Sequence, residues 1–181
     1  MIRAALVLAV ALALGSPALA APSAVKDTSF VDQTGARLLQ QRVVIAAPPA
    51  AVWRALTDQA AYRQWVAPNS FIDLRVGGSI EVALSAAGKP GDPSNIKQEI
   101  LGYVPQRLMV FRNLSVPPVP GGAVYPKLAI VLELNPAGEG TEVVLSQVGY
   151  GAGADFDALY GFFKQHNPEF LLNLKAFAER S

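Results

Sequence analysis

The chain has 181 residues, of which 51% are hydrophobic and 16% charged, with 15 Lys and Arg against 14 Asp and Glu. This length predicts one domain, and the apolar, balanced composition excludes a disordered chain and a basic nucleic-acid-binding surface. Cysteine is absent and His166 is the only histidine, which excludes disulfides, thiolate chemistry and multi-histidine metal sites. We therefore expect no metal and no nucleic-acid partner.

The first 20 residues have the pattern of a secretory signal peptide. Arg3 precedes an apolar run from Ala4 to Leu14, which is followed by a Gly-Ser-Pro break and small residues up to Ala20. This pattern predicts cleavage after Ala20, and the apolar run is too short for a stable membrane anchor. We expect a periplasmic or secreted protein with no membrane anchor after cleavage, no net charge and, outside the cytoplasm, no cofactor.

The segment after the predicted cleavage site leads into the domain. Residues 21–34 are small, polar and aperiodic, which is typical of a flexible leader, and the domain is expected over 35–181. A first strand is predicted at Arg37–Ala46 from its partly alternating pattern. Two short helices are predicted next, at Pro48–Asp58 and Gln59–Val66.

Short β-rich runs separated by turn residues then indicate an antiparallel sheet. Strands are predicted at Phe71–Val76, Ser79–Ser85, Asn95–Tyr103, Arg107–Leu114, Tyr125–Leu134 and Thr141–Tyr150. The Gly77-Gly78 pair predicts a tight hairpin between the first two of these strands. The intervening loop 115–123 contains three prolines and two glycines, which excludes a central strand there.

The last segment returns to helical spacing. Asp155–Glu179 carries a wide apolar face, and Asp155 is a plausible N-cap after the glycine-rich stretch 149–153. Pro168 lies inside this run and predicts a kink near residues 164–167.

Five segments in this order carry a resemblance to a known family. They are VVIAAPPAAVWRALTD (Val43–Asp58), the following Trp65, DLRVGG (Asp73–Gly78), YVPQRLMVF (Tyr103–Phe111) and GTEVVLSQVGY (Gly140–Tyr150). The chain resembles the START and polyketide-cyclase (SRPBCC) superfamily, and within it the branch named for the activator of the heat-shock-protein-90 ATPase.

The resemblance implies an α+β helix-grip fold. In such a fold a curved antiparallel sheet, here of about six to seven strands, wraps around the long C-terminal helix, with two short helices after the first strand. The resemblance also implies an apolar cavity between sheet and helix for lipids, sterols, polyketides or similar molecules. It supplies no shared catalytic motif, and the co-chaperone activity of the branch needs a cytosolic partner that an exported chain would not meet.

Candidate ligand-binding residues are aromatic side chains spread over the sheet and the last helix, because such cavities are mostly apolar. They are Trp65, Phe71, Tyr103, Phe111, Tyr125, Tyr150, Phe156, Tyr160 and Phe163. Glu99 and Arg75, with Gln98 and Arg112, are expected to form a polar cluster at the cavity floor. The mouth of the cavity is expected at two loops, residues 115–126, which we call the mouth loop, and the glycine-rich stretch 149–153.

The leading hypothesis is a monomeric, non-enzymatic, exported protein that binds a small hydrophobic or amphipathic molecule. One alternative is a cyclase- or hydrolase-type enzyme in which a Tyr, Glu99 or His166 acts as acid or base in the same cavity. A second alternative is a partner-binding domain with a filled core, which the lack of a cavity above roughly 300 Å³ would favour.

Overall fold

The computed structural model describes residues 24–83, 85 and 87–181; the predicted signal peptide, residues 1–20, lies outside them. Its strands are β1 (Lys26–Asp27), β2 (Phe30–Val31), β3 (Arg37–Ile45), β4 (Ser70–Ile72), β5 (Ser79–Val82), β6 (Ile96–Val104), β7 (Leu108–Asn113), β8 (Ala129–Ala137) and β9 (Gly140–Tyr150). Its helices are α1 (Pro49–Thr57), α2 (Gln59–Trp65) and α3 (Ala154–Ala178), with a 3-10 helix at Gly122–Lys127.

The described strands form one antiparallel sheet in the order β1-β3-β9-β8-β7-β6-β5-β4, with β2 also paired to β3. This is the expected α+β helix-grip architecture, in which α3 packs against one face of the sheet, here called the inner face. None of the described helices is long and apolar enough to cross a membrane.

Alternation in the strands produces the inner face. On β3 the side chains of Leu39, Gln41, Val43 and Ile45 are at most 2% exposed, and the residues that alternate with them face outward. Helix α3 buries a matching stripe at helical spacing, which includes Leu171 and Leu174 at 0% exposure. Each such apolar side chain contributes about 1.5–3 kcal/mol when fully buried, so this layer supplies most of the core.

Part of the predicted flexible leader belongs to the sheet. Strand β1 pairs with Arg42 and Gln41 of β3, and strand β2 pairs with Leu38 and Arg37. Thr28 adds a backbone N–H bond of 2.8 Å to the carbonyl of Gln40. These two strands raise the count from the six or seven expected to nine, and the sheet begins before residue 35.

Two predicted strands differ in the structure. The strand expected at Phe71–Val76 ends at Ile72, and the connection to β5 is a longer turn over residues 73–78 rather than a two-residue hairpin. The strand expected from Tyr125 begins only at Ala129, because the chain first forms the 3-10 helix, which ends with a hydrogen bond from the Leu128 N–H to the Tyr125 carbonyl. Proline at position 126 favours this turn over a paired strand.

Helix α3 runs continuously through Pro168 and begins after Gly153, rather than after the predicted N-cap Asp155. Proline has no N–H to donate to the carbonyl four residues earlier, which is that of Lys164. The side chain of Gln41, on β3, donates its Nε2 to this carbonyl at 2.8 Å. A strand side chain therefore replaces the helix hydrogen bond that Pro168 removes, while the kink expected there stays a prediction.

We predict that Gln41→Leu lowers the free energy of unfolding by about 1–3 kcal/mol, because it leaves the Lys164 carbonyl without this donor. Pro168→Ala restores a backbone N–H to the same carbonyl, so Gln41→Leu should cost less in that background. Urea unfolding of the four proteins of this double-mutant cycle measures the difference. If Gln41→Leu lowers the free energy of unfolding equally with and without Pro168, the Gln41 side chain does not replace the missing proline N–H.

Candidate functional site

The candidate site is a cavity between the inner face of the sheet, α2 and α3. Its volume is about 30 Å³. The apolar part of its lining consists of Leu56, Tyr62, Ile80, Met109, Phe111, Tyr125, Ile130, Leu132, Leu145 and Phe170. Three carboxamides complete the lining: Gln98, Gln147 and Asn167.

The carboxamides occupy inner positions of elements that are otherwise apolar there. Gln147 is the partner of Leu39 across β3 and β9, and Gln98 is the partner of Ile80 across β5 and β6. The Gln147 side chain is 1% exposed, and its Oε1 accepts a 2.7 Å hydrogen bond from the Tyr150 hydroxyl. Because inner positions normally hold apolar residues, these glutamines give the cavity its hydrogen-bonding groups.

Asn167 contributes the third carboxamide from α3. Its side chain is 2% exposed, and its Nδ2 has no hydrogen-bond partner among the described residues. A buried N–H without a partner lowers the stability of the folded state by about 1–3 kcal/mol. An asparagine at this position is therefore favourable only if some group accepts a hydrogen bond from its Nδ2.

The described lining carries no formally charged side chain. The described residues also contain no group of His, Asp and Glu arranged to hold a metal ion. A charged molecule would therefore enter this cavity without a counter-ion, which is strongly unfavourable in an apolar interior. The arrangement suits a neutral molecule with an apolar body and hydrogen-bonding groups.

Three of the predicted aromatic residues lie in the cavity lining or directly next to it. Phe111 and Tyr125 line it, and the ring of Phe163 packs against that of Tyr125 with centroids 4.7 Å apart. Trp65 stands behind the lining, 5.2 Å from the ring of Phe170. Trp65 thus supports a wall residue that the sequence reasoning did not select.

A second predicted group surrounds the first turns of α3. The rings of Tyr150 and Tyr160 meet edge to face at 5.1 Å, and Arg37 lies over the Tyr160 ring. Phe156 lies under the ammonium group of Lys127. None of these side chains is part of the described cavity lining, so they form an aromatic cluster beside it.

The two remaining aromatic candidates lie elsewhere. The Arg63 guanidinium covers the Phe71 ring at 5.4 Å, and Tyr103 packs near Trp53 with centroids 6.1 Å apart. Both side chains are half-buried, and neither is part of the described cavity lining.

The polar cluster expected at the cavity floor does not form. Only Gln98 faces the cavity; the next residue, Glu99, points to the opposite face because strand side chains alternate. Glu99 there pairs with Arg112 at 2.7 Å. The side chain of Arg75 is 67% exposed in the turn after β4 and pairs with Asp73 at 2.8 Å.

His166 does not face the cavity either. Its Nδ1 lies 2.7 Å from the carbonyl oxygen of Phe162, and its ring stacks on the Phe162 ring at 4.2 Å between centroids. Two of the candidates for acid–base chemistry, Glu99 and His166, are therefore separate from the described cavity lining.

The mouth loop closes the cavity through its 3-10 helix. Tyr125 from this helix lines the cavity, and Gly121, with φ of 69°, lies directly against the backbone of α3. A Cβ at Gly121 would overlap the carbonyl oxygen of Asp155, so only glycine permits this approach. The glycine-rich stretch after β9 contacts α3 as well, where Gly151 meets the ring of Phe156.

Burial controls the ionisation of three tyrosines at and beside the cavity. It raises the pKa of Tyr62, Tyr125 and Tyr150 well above the ordinary value near 10. Neighbouring tyrosines raise the pKa of Tyr125 and Tyr150 further, whereas Arg37 opposes the increase at Tyr150. These phenols stay protonated and can donate hydrogen bonds at any physiological pH.

Alkaline titration tests this burial. A raised pKa in the folded state means that stability is intact below pH 10 and is lost as pH rises above it, by about 1.4 kcal/mol per pH unit for each such phenol. We predict that tyrosinate absorbance of the folded protein stops short of the value for all five tyrosines until the chain unfolds. Complete ionisation before loss of the circular-dichroism signal would contradict the burial of these side chains.

The family follows from the sequence match to these elements. The model of the family described as Activator of Hsp90 ATPase homolog 1-like protein (AHSA1) matches residues 46–179. The chain belongs to this family. The match covers α1 through α3, so both walls of the cavity lie within this AHSA1 domain.

Solved structures share the fold. Protein MLL2253 from Mesorhizobium loti is 21% identical over 80% of this chain and 98% of its own, with a TM-score of 0.63. The Aha1 dimer from Colwellia psychrerythraea is 18% identical over 78% and 96%, with a TM-score of 0.62. DynU16, from the dynemicin biosynthetic locus, is 19% identical over 79% and 46%, with a TM-score of 0.53. A comparison with curated proteins finds no match.

Proposed function

We propose that this AHSA1 domain binds a small, neutral, amphipathic molecule in the cavity between sheet and α3. The observation that carries the proposal is the set of three carboxamides on an otherwise apolar, uncharged lining. One of them, Asn167, keeps a buried N–H without a described partner. Packing alone favours apolar residues at such positions, whereas ligand recognition uses a few polar groups among apolar ones.

Binding requires the cavity to enlarge. Its volume of about 30 Å³ has room for water, whereas pockets for organic ligands span roughly 300–1,000 Å³. Two wall residues lie on elements at the border of the cavity: the buried Tyr125 on the mouth loop and the half-buried Phe170 on α3. We infer that these walls move outward on binding.

The small volume also favours the second candidate, a partner-binding domain with a filled core. That candidate explains the closed cavity but not the unpartnered Asn167. The enzymatic alternative receives no support from the described cavity lining, whose titratable groups are the tyrosines Tyr62 and Tyr125. With a raised pKa, these phenols are poor bases at neutral pH.

We further propose that the protein is exported and acts as a monomer. The sequence pattern of residues 1–20 supports export to the periplasm or beyond. The solved Colwellia relative is a dimer, but the short edge strands here, β1 and β4, disfavour pairing between sheets. Cell fractionation with N-terminal sequencing tests export, and the mature sequence is expected to begin at Ala21. Sedimentation of the purified protein measures its oligomeric state.

We predict that a stoichiometric neutral compound is extracted by organic solvent from protein purified from its native host, and that Leu132→Phe lowers its amount at least tenfold. The larger side chain would occupy the already small cavity. Mass spectrometry of the extracts measures the compound, against an extract of an unrelated exported protein.

Leu172→Phe is the matched control, because Leu172 is 39% exposed and does not line the described cavity. Unfolding curves establish that both variants are folded. The ligand proposal fails if wild type yields no compound in the extract and no hydrophobic molecule raises its melting temperature. Equal retention by the two variants would place the compound outside this cavity.

A further inference from the structure

Two buried carboxamides, one on each side of the sheet–helix interface, have complementary unpaired atoms. On β3, Gln41 leaves its acceptor Oε1 without a partner, and on α3, Asn167 leaves its donor Nδ2 without one, among the described residues. Each side chain is 2% exposed, so bulk water does not satisfy these atoms. A single group that both donates and accepts a hydrogen bond would satisfy the two atoms.

Contacts place the two side chains at the same part of α3. Gln41 donates its Nε2 to the carbonyl of Lys164 at 2.8 Å, and Lys164 and Asn167 are three residues apart, on one face of the helix. Across the sheet, Gln41 is the register partner of Leu145, which lines the cavity together with Asn167. Asn167 therefore lines the cavity, and Gln41 lies beside the lining, next to Leu145 and against the same stretch of α3.

We propose that Gln41 and Asn167 form a binding site for a hydroxyl group, which makes the ligand an uncharged alcohol with an apolar body. The hydroxyl oxygen accepts a hydrogen bond from Asn167 Nδ2, and the hydroxyl proton is donated to Gln41 Oε1. A carbonyl or ether oxygen serves only Asn167, because it has no proton for Gln41. A carboxylate or ammonium group is disfavoured by the uncharged lining.

This inference rests on the proposed function and specifies its ligand class. Selectivity of this kind is strong when a site is built around a hydroxyl, because an analogue without one leaves buried polar groups unpaired. The apolar remainder of the ligand would extend from this site along the apolar lining toward Phe170 and Tyr125.

Two isomeric probes test the site in the wild-type protein. 1-Octanol and 1-methoxyheptane have the same atoms, but only the alcohol has an O–H to donate. We expect octanol to bind about tenfold more tightly in isothermal titration calorimetry, which corresponds to about one buried hydrogen bond. This comparison needs no variant and so does not depend on how a substitution affects folding.

Variants separate the roles of the two residues at similar side-chain volume. Gln41→Met should reduce the octanol preference to about onefold, because both probes then use only Asn167 Nδ2. Asn167→Leu should weaken the binding of both probes and leave the octanol preference in place, because only the alcohol can still donate to Gln41 Oε1. Asn113→Leu is the matched control: Asn113 is also buried, with an unpaired Oδ1, but it faces Gln98 on β6 and does not line the cavity. It should keep the tenfold preference, and unfolding curves confirm that all three variants are folded.

Equal affinity for the two probes would overturn the hydroxyl site and leave the ligand-binding proposal standing, because that proposal is decided by the extract experiment. If neither octanol nor 1-methoxyheptane binds, the hydroxyl site is also overturned. A structure of the octanol complex gives a further outcome. If a water molecule lies between Gln41 and Asn167 and the alcohol oxygen lies elsewhere, the two residues bind water only, and the assignment of an alcohol ligand is overturned.

Discussion

The mutual burial of α3 and the inner face of the sheet is the constraint on which the other features depend. Neither surface is stable in water alone, because Leu39 and Ile45 on the sheet and Leu159 and Leu171 on the helix are all fully buried. Mutual burial fixes the register of the helix along the strands. It thereby determines which side chains of α3 reach the cavity and which face solvent.

Polar groups within this apolar interface mark where packing is subordinate to another role. Gln41 compensates for the hydrogen bond that Pro168 removes, so one of its two polar atoms has a structural task. Asn167, next to that proline, has no such task for its Nδ2. Gln41 thus combines a structural hydrogen bond through Nε2 with an unpaired Oε1, and the polar groups left for the proposed hydroxyl site are this Oε1 and Asn167 Nδ2.

Periodicity made the architecture predictable, and local chemistry limited the rest. Alternation predicted β3 well, and helical spacing predicted α3, because both elements bury one regular face. Strands β1 and β2 were missed since their pairing comes from the β3 edge, not from their own pattern. At the site, Phe111 and Tyr125 were selected for their aromatic character and Gln98 as a neighbour of Glu99, whereas Gln147 and Asn167 were passed over. A glutamine or asparagine at an inner position is the feature that marks them. It can be recognised only when it is known which alternate residues of each strand face the helix.

The order in which the chain is synthesised gives the β3–α3 contact a further consequence. Gln41 and Lys164 are 123 positions apart, and the 25 residues of α3 are synthesised after every described strand of the sheet. Until then the inner face lacks the cover of α3, and long-range pairing of this kind is slow to form. A product terminated before residue 154 exposes that apolar face and is prone to aggregate. Burial of this face during synthesis therefore depends on α3.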